Sequence, residues 1–127
     1  MDFQVITLPN ASISIGPYAL ATRAGDFIFV SGQGPFDPKT GKIVEGGIRA
    51  QTAQVLENIK SILEAADTDL AHVVKVMIFL TDWKYFQEMN ETYATYFPIK
   101  QPARSTLQGA RWPEGALLAM EATALVR

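Results

Sequence analysis

Short unbroken apolar clusters mark both ends of the chain, while its middle carries apolar residues at three- and four-residue steps. The run Phe27-Ile28-Phe29-Val30, inside Asp26–Gln33, is rich in strand formers and predicts a strand buried on both faces. Ala19–Ala24 precedes it, and an Ala-Gly pair lets the chain turn between the two. Gln4–Thr7 predicts a short edge strand. Asp37-Pro38-Lys39-Thr40-Gly41 is turn chemistry, in which Pro presets φ and Gly tolerates a positive one.

From Gly47 to Ala66 the period lengthens. Val55, Leu56, Ile59, Ile62, Leu63 and Ala66 fall on one face of a helix, and Gln54, Glu57, Lys60 and Glu64 on the other. Asp67 to Asp69 end it, and His72–Leu80 reads as a second buried strand. Asp82 has the chemistry of an N-cap for a helix from Trp83 to about Tyr96, with Phe86, Met89, Tyr93 and Tyr96/Phe97 as its apolar stripe. Pro98 and Pro102 bracket a loop. Two more strands, Arg104–Gln108 and Ala116–Val126, flank a loop containing Trp112-Pro113-Glu114-Gly115. The class is therefore α+β: a mixed sheet with two helices on one face. Its other face has no helix left to cover it, which predicts self-association.

Composition narrows the function. At 127 residues the chain forms one domain. With 11 basic against 13 acidic residues and no basic run, it lacks the electrostatic footprint of a nucleic-acid binder. It has no Cys, which removes disulfides, thiolate nucleophiles and Cys-ligated zinc. Neither a secretory leader nor a membrane-spanning run is present in the sequence, so a cytoplasmic protein without membrane contact is expected. The only His, His72, offers no metal-ligand spacing and no base for Ser31 or Ser105, and no metal is expected. Neither glycine-rich phosphate loops nor a nucleophile elbow occurs.

Arg104, in Pro102-Ala103-Arg104-Ser105-Thr106, is what remains. A guanidinium on an otherwise apolar strand is costly to bury without an anion, and its planar fork suits a carboxylate. A structural ion pair or a solvent-facing Arg would satisfy the same residue, and the residue type alone does not choose between them.

Six stretches in register do choose. They are Ile15-Gly16-Pro17-Tyr18, Phe29-Val30-Ser31-Gly32-Gln33, Asp37-Pro38-Lys39-Thr40-Gly41, Met89-Asn90-Glu91-Thr92-Tyr93, Pro102-Ala103-Arg104-Ser105 and Met120-Glu121-Ala122-Thr123-Ala124. In their order and spacing the chain resembles the Rid family (reactive intermediate deaminases, YjgF-like, L-PSP endoribonuclease-like) from end to end. That resemblance implies a chorismate-mutase-like α+β fold, a six-stranded sheet with two helices, assembled as a homotrimer with clefts between subunits. It implies hydrolysis of small imines and enamines such as 2-aminoacrylate to a 2-keto acid and ammonia, without a cofactor. The family's carboxylate-binding arginine falls on Arg104, the cleft aromatic on Tyr18, a backbone contact on Gly32, a cleft asparagine on Asn90, and a second backbone contact on Thr106.

The chain also departs from the family. Deaminase members carry two glutamates, one residue apart, in the last strand, and the first is credited with positioning the hydrolytic water. Here the stretch reads Ala119-Met120-Glu121, so only the second glutamate is kept, about 7 Å along the strand. Catalytic roles therefore fall on Arg104, Tyr18 and Glu121. Three alternatives follow: a trimer that binds carboxylates without chemistry, a deaminase of another enamine such as an aminomuconate, and a ribonuclease. The acidic balance and the single His weigh against the last.

Overall fold

A computed structural model describes residues 1–9, 16–109, 111–112 and 115–127. Six strands make one sheet: β1 (Gln4–Ile6), β2 (Ala21–Ala24), β3 (Phe27–Gln33), β4 (Val73–Leu80), β5 (Ala103–Gln108) and β6 (Leu118–Leu125). Their spatial order is β1-β2-β3-β6-β4-β5. All neighbours are antiparallel except β4 and β5, whose parallel pairing requires the crossover that α2 (Phe86–Tyr96) supplies. The longer helix, α1 (Gly47–Ala65), connects the β2–β3 hairpin to β4. Two turns of 3₁₀ helix, Leu70–His72 and Trp83–Tyr85, precede β4 and α2. Asp82 caps the second as its residue type predicts, its carboxylate accepting from Lys84 N–H at 2.9 Å.

Strand register sorts the side chains. Ile28 and Val30 pair with Ala124 and Ala122, while Val76, Ile78 and Leu80 pair with Ala122, Met120 and Leu118. Those residues point to one face and form a single core with Val55, Leu56, Ile59 and Leu63 of α1 and Met89 of α2. The face prediction for α1 therefore holds. Gly46 and Gly47 open that helix at φ of 113° and 75°, a left-handed backbone that suits glycine and is strained for other residues.

The opposite face carries Phe27, Phe29, Met77, Phe79, Ala119, Glu121, Thr123 and Leu125, and among the described residues no helix lies on it. Phe27 and Phe29 remain 44% and 45% exposed, with their rings 6.2 Å apart. The expectation that Phe27–Val30 would be buried on both faces is thus corrected. The run is continuous in sequence, but only Ile28 and Val30 are covered by this chain. The cluster of exposed aromatics is what self-association would bury.

Two polar contacts tie loops to this frame. Gln51 on α1 is 5% exposed; its Nε2 donates to the Gly115 carbonyl at 3.3 Å and its Oε1 accepts Leu117 N–H at 2.7 Å. At the start of β4, the His72 ring lies 2.6 Å from the Asp69 carboxylate, which Arg127 also approaches at 3.5 Å. The hydrogen bond from His72 is the main reason that the Asp69 carboxyl is held below its ordinary value; partial burial opposes it, and the positive charges of His72 and Arg127 assist.

Two outcomes are expected. Gln51→Leu removes the partner of the Leu117 N–H and the Gly115 carbonyl, so urea denaturation should show a loss of about 1 kcal/mol or more. A depressed carboxyl stabilises the fold above its unfolded value near pH 3.9 and ceases to do so as pH falls through its lower folded value. Asp69→Asn should therefore cost about 0.5 kcal/mol at neutral pH, and in melts that difference from the parent should fade as pH drops through the lowered folded value of the carboxyl.

Candidate functional site

Arg104 pairs with Val76 in the parallel β4–β5 ladder, so its side chain leaves the sheet on the helix-covered face. There it meets α2. The guanidinium carbon sits 4.9 Å from the centre of the Tyr93 ring and 5.7 Å from that of Phe86. Each of those rings is itself backed by another aromatic. Phe86 stacks on Trp83 at 4.4 Å with a 14° interplanar angle, and Tyr93 packs against Phe97 at 4.8 Å. Half-buried Arg104 is thus held by π faces rather than by a carboxylate.

The contrast with the other arginines is chemical. Arg49 on α1 reaches Glu91 at 2.5 Å and Glu88 at 3.7 Å, and Arg127 reaches Asp69. Arg104 has no ion pair among the described residues. The expectation that a guanidinium here needs an anion is met only halfway: two aromatic rings solvate one side of it, and its remaining N–H groups are left for something else.

A pocket of about 350 Å³ opens at this point, lined by Asn90, Tyr93, Ala94, Gln101, Pro102 and Arg104. Of these residues, Asn90 and Tyr93 keep their Oδ1 and Oη buried, and no acceptor takes the Tyr93 phenolic proton. Burial pushes the Tyr93 phenol up to about 12, although the nearby guanidinium opposes the shift. The hydroxyl is therefore protonated throughout the working pH range. Thr106 pairs with Ile78 and lies two residues beyond Arg104 on the same face. Because β5 is an edge strand, the outer side of its backbone is unpaired in the sheet.

The remaining sequence-predicted residues lie elsewhere. Val30 pairs with Ala122 and Gln33 with Met120, so Ser31 and Gly32 together oppose Glu121 in a β-bulge. A side chain added at Gly32 would meet nothing within 4 Å, so the space above it is open. Tyr18 is 50% exposed; it lies just before the stretch in which the Ala19 carbonyl accepts from the Ser31 hydroxyl at 2.6 Å. Glu121 is exposed on the bare face, and half-buried Ala119, which pairs with Phe79, lies on the same face. Strands lie about 4.8 Å apart, which separates β3 from β5 by about 14 Å and puts Glu121 and Arg104 on opposite faces.

Within one chain, therefore, Arg104 and Asn90 share a pocket on the helix-covered side, while Gly32 and Glu121 lie at the bulge between β3 and β6. Ile15, Pro113 and Glu114 lie outside the described residues. Trp112 packs edge-on against Phe79 at 5.9 Å, toward the bare face and away from the pocket.

Sequence reasoning assigned Phe86 and Tyr93 to the apolar stripe of a helix. Both are that, and both also hold Arg104. The available signal was the tyrosine itself, whose hydroxyl needs a partner that a stripe of Phe and Met does not provide. A second cavity, of about 280 Å³, lies between α1 and the end of β3 and is lined by Leu8, Leu20, Phe36, Asn58 and Ile62 among others. It has no charged side chain and does not suit an acid. No group of three or more His, Cys, Asp and Glu among the described residues is placed to hold a metal, and no helix of the described chain is long and apolar enough to cross a membrane.

Comparison with known proteins places this geometry in a family. The chain is 51% identical over 121 residues to a RutC family protein of Pyrococcus horikoshii, covering 95% of this chain and 96% of that one. It is 39% identical over 122 residues to the 2-iminobutanoate/2-iminopropanoate deaminase of Mus musculus, covering 96% and 90%. The crystal structure of E. coli TdcF with bound serine matches with a TM-score of 0.91 at 35% identity, covering 98% of this chain and 99% of that one. The family model described as Endoribonuclease L-PSP matches residues 9–126. Fold, motifs and relatives agree, and the chain belongs to the Rid (YjgF-like, L-PSP) family.

Proposed function

We propose that the protein hydrolyses small 2-imino and enamine acids of the 2-aminoacrylate type to 2-keto acids and ammonia, with Arg104 gripping the substrate carboxylate. The observation that carries this reading is the guanidinium itself. It is seated on two aromatic rings at the wall of a pocket, with no carboxylate of the described chain to neutralise it. A bidentate carboxylate satisfies that cation better than water does once the pocket is closed. The mouse relative is named a deaminase of such imines, and the E. coli relative was crystallised with serine, which carries a carboxylate.

The chemistry asks little of the protein. An enamine first takes a proton at its terminal carbon and releases one from nitrogen to become the imine. Water then adds to the electrophilic C=N carbon to give a carbinolamine, the nitrogen takes up a proton, and ammonia leaves as the hydroxyl loses its proton and the carbonyl forms. Orientation and charge matching are enough to accelerate an intrinsically ready reaction. Asn90 and the backbone of Thr106 help hold the acid. Tyr18 and Glu121 supply the proton-handling side, with Gly32 offering backbone at the bulge.

Those two sides are separated within one chain, so the complete site requires a second copy. The bare face with Phe27, Phe29 and Leu125 provides the surface for it, and closing three copies around that face would give the homotrimer with sites between subunits. A carboxylate-binding trimer without chemistry is the rival, and Ala119 favours it, because the bare face has lost one of the family's two carboxylates there. The ribonuclease reading draws no support from the pocket, since His72 is engaged with Asp69 outside it.

Three results follow. In a coupled assay with threonine dehydratase, the parent should hasten the appearance of 2-keto acid and ammonia, and Arg104→Ala should remove the gain. If both proteins leave the rate unchanged, the non-catalytic reading replaces this one. Arg104→Ala should cost about 1 kcal/mol or less of stability, because it loses a cation–π contact and not a buried ion pair, so lost activity would not reflect unfolding. Light scattering should give about three times the 14.0 kDa chain mass. Phe29→Glu, which places charge on the bare face, should shift that value toward the monomer and abolish turnover together.

A further inference from the structure

α2 carries two tyrosines three residues apart, Tyr93 and Tyr96, and their hydroxyls are handled differently. Tyr96 Oη donates to the Ala53 carbonyl on α1 at 3.4 Å, a long bond between packed helices that nonetheless gives its proton an acceptor. Tyr93 is only 5% exposed, and its phenolic proton finds no acceptor among the described residues. The Arg104 guanidinium beside its ring is a donor only. Even a closer approach by that group would leave the phenolic proton with no acceptor. Asn90 Oδ1, one turn earlier on the same helix, does not receive it and is itself unpartnered. Buried hydroxyls without an acceptor are rare, because the desolvation is not repaid. In the core stripe of α2 a phenylalanine would fill the same volume without that penalty.

Tyr93 lines the pocket together with Arg104, Asn90 and Gln101, and its buried hydroxyl lies beneath that wall. The geometry points to Tyr93 as a ligand-binding residue of that pocket, its O–H donating to an oxygen of the carboxylate that Arg104 grips. This inference rests on the carboxylate reading above and adds a residue to it. Tyr93 then has two jobs in one ring. Its face holds the guanidinium 4.9 Å from the ring centre, and its edge presents a neutral donor next to that cation. A donor that stays protonated up to about pH 12 contributes at any working pH and does not act as a base. A carboxylate oxygen has lone pairs enough to accept from the guanidinium and the phenol together.

The experiment is isothermal titration of the full-length protein with 2-oxobutanoate, beside thermal melts, for the parent, Tyr93→Phe, Tyr96→Phe and Arg104→Ala. Tyr93→Phe keeps the ring and its contact with Arg104 and removes only the hydroxyl. Its affinity should fall by about ten- to a hundredfold, the range for a hydrogen bond to a charged group, while its melting temperature stays at or above the parent's. Tyr96→Phe should show the reverse, a lower melting temperature with unchanged affinity. In the imine assay Tyr93→Phe should raise KM by a similar factor with kcat within twofold, a split that a merely structural hydroxyl would not produce. If Tyr93→Phe binds within twofold of a parent that does bind, or melts markedly lower, the assignment is overturned while the carboxylate reading stands. If the parent itself does not bind the acid, or Arg104→Ala binds it equally well, the underlying reading fails and this one with it.

Discussion

A guanidinium without a carboxylate is the constraint around which the rest of this molecule is arranged. Arg104 stands on an edge strand and turns toward α2, where Phe86 and Tyr93 receive it on their faces and Trp83 and Phe97 brace those rings from behind. Aromatic quadrupoles attract a cation but do not neutralise it. The charge stays available, and the planar group stays oriented. An Asp or Glu in place of either ring would have sealed the site with an internal ion pair, as Arg49 is sealed by Glu88 and Glu91 on the outer surface of the same helix.

The fold supplies this arrangement through topology. Parallel pairing of β4 with β5 forces the chain to cross over through α2, so the helix that follows β4 is also the one beneath which β5 runs. Arg104 and α2 are therefore neighbours by construction. The same topology places the Ser31-Gly32 bulge and Glu121 two to three strands away, on the side that no helix covers. The chain thus divides these polar groups between its two faces, and leaves an apolar face with exposed Phe27 and Phe29 beside the second set.

Much of this was legible in the residues. The three-and-four spacing from Gly47 located α1 to within a residue of its end at Ala65, because a long amphipathic helix repeats its signal five times over. Asp82 announced a cap and forms one. The reading of Phe27–Val30 failed for a definite reason: four adjacent apolar residues look alike whether the second face is covered by a helix or by nothing in the same chain. The face of β5 was also hidden, since Ala-Arg-Ser-Thr-Leu-Gln has no clear alternation, and only its register with Val76 shows which way Arg104 points. For the same reason Tyr93 passed as core. Its place in the stripe is correct, and its unsatisfied hydroxyl becomes visible only when every neighbour has been located.

The most direct measurement is a crystal structure of the protein soaked with 2-oxobutanoate. The account predicts a carboxylate lying flat against Arg104, its two oxygens about 2.7–2.9 Å from guanidinium nitrogens, with Tyr18 and Gly32 of an adjoining copy across the ligand. A guanidinium found instead on an Asp or Glu of a neighbouring chain, with the acid absent or bound elsewhere, would contradict it.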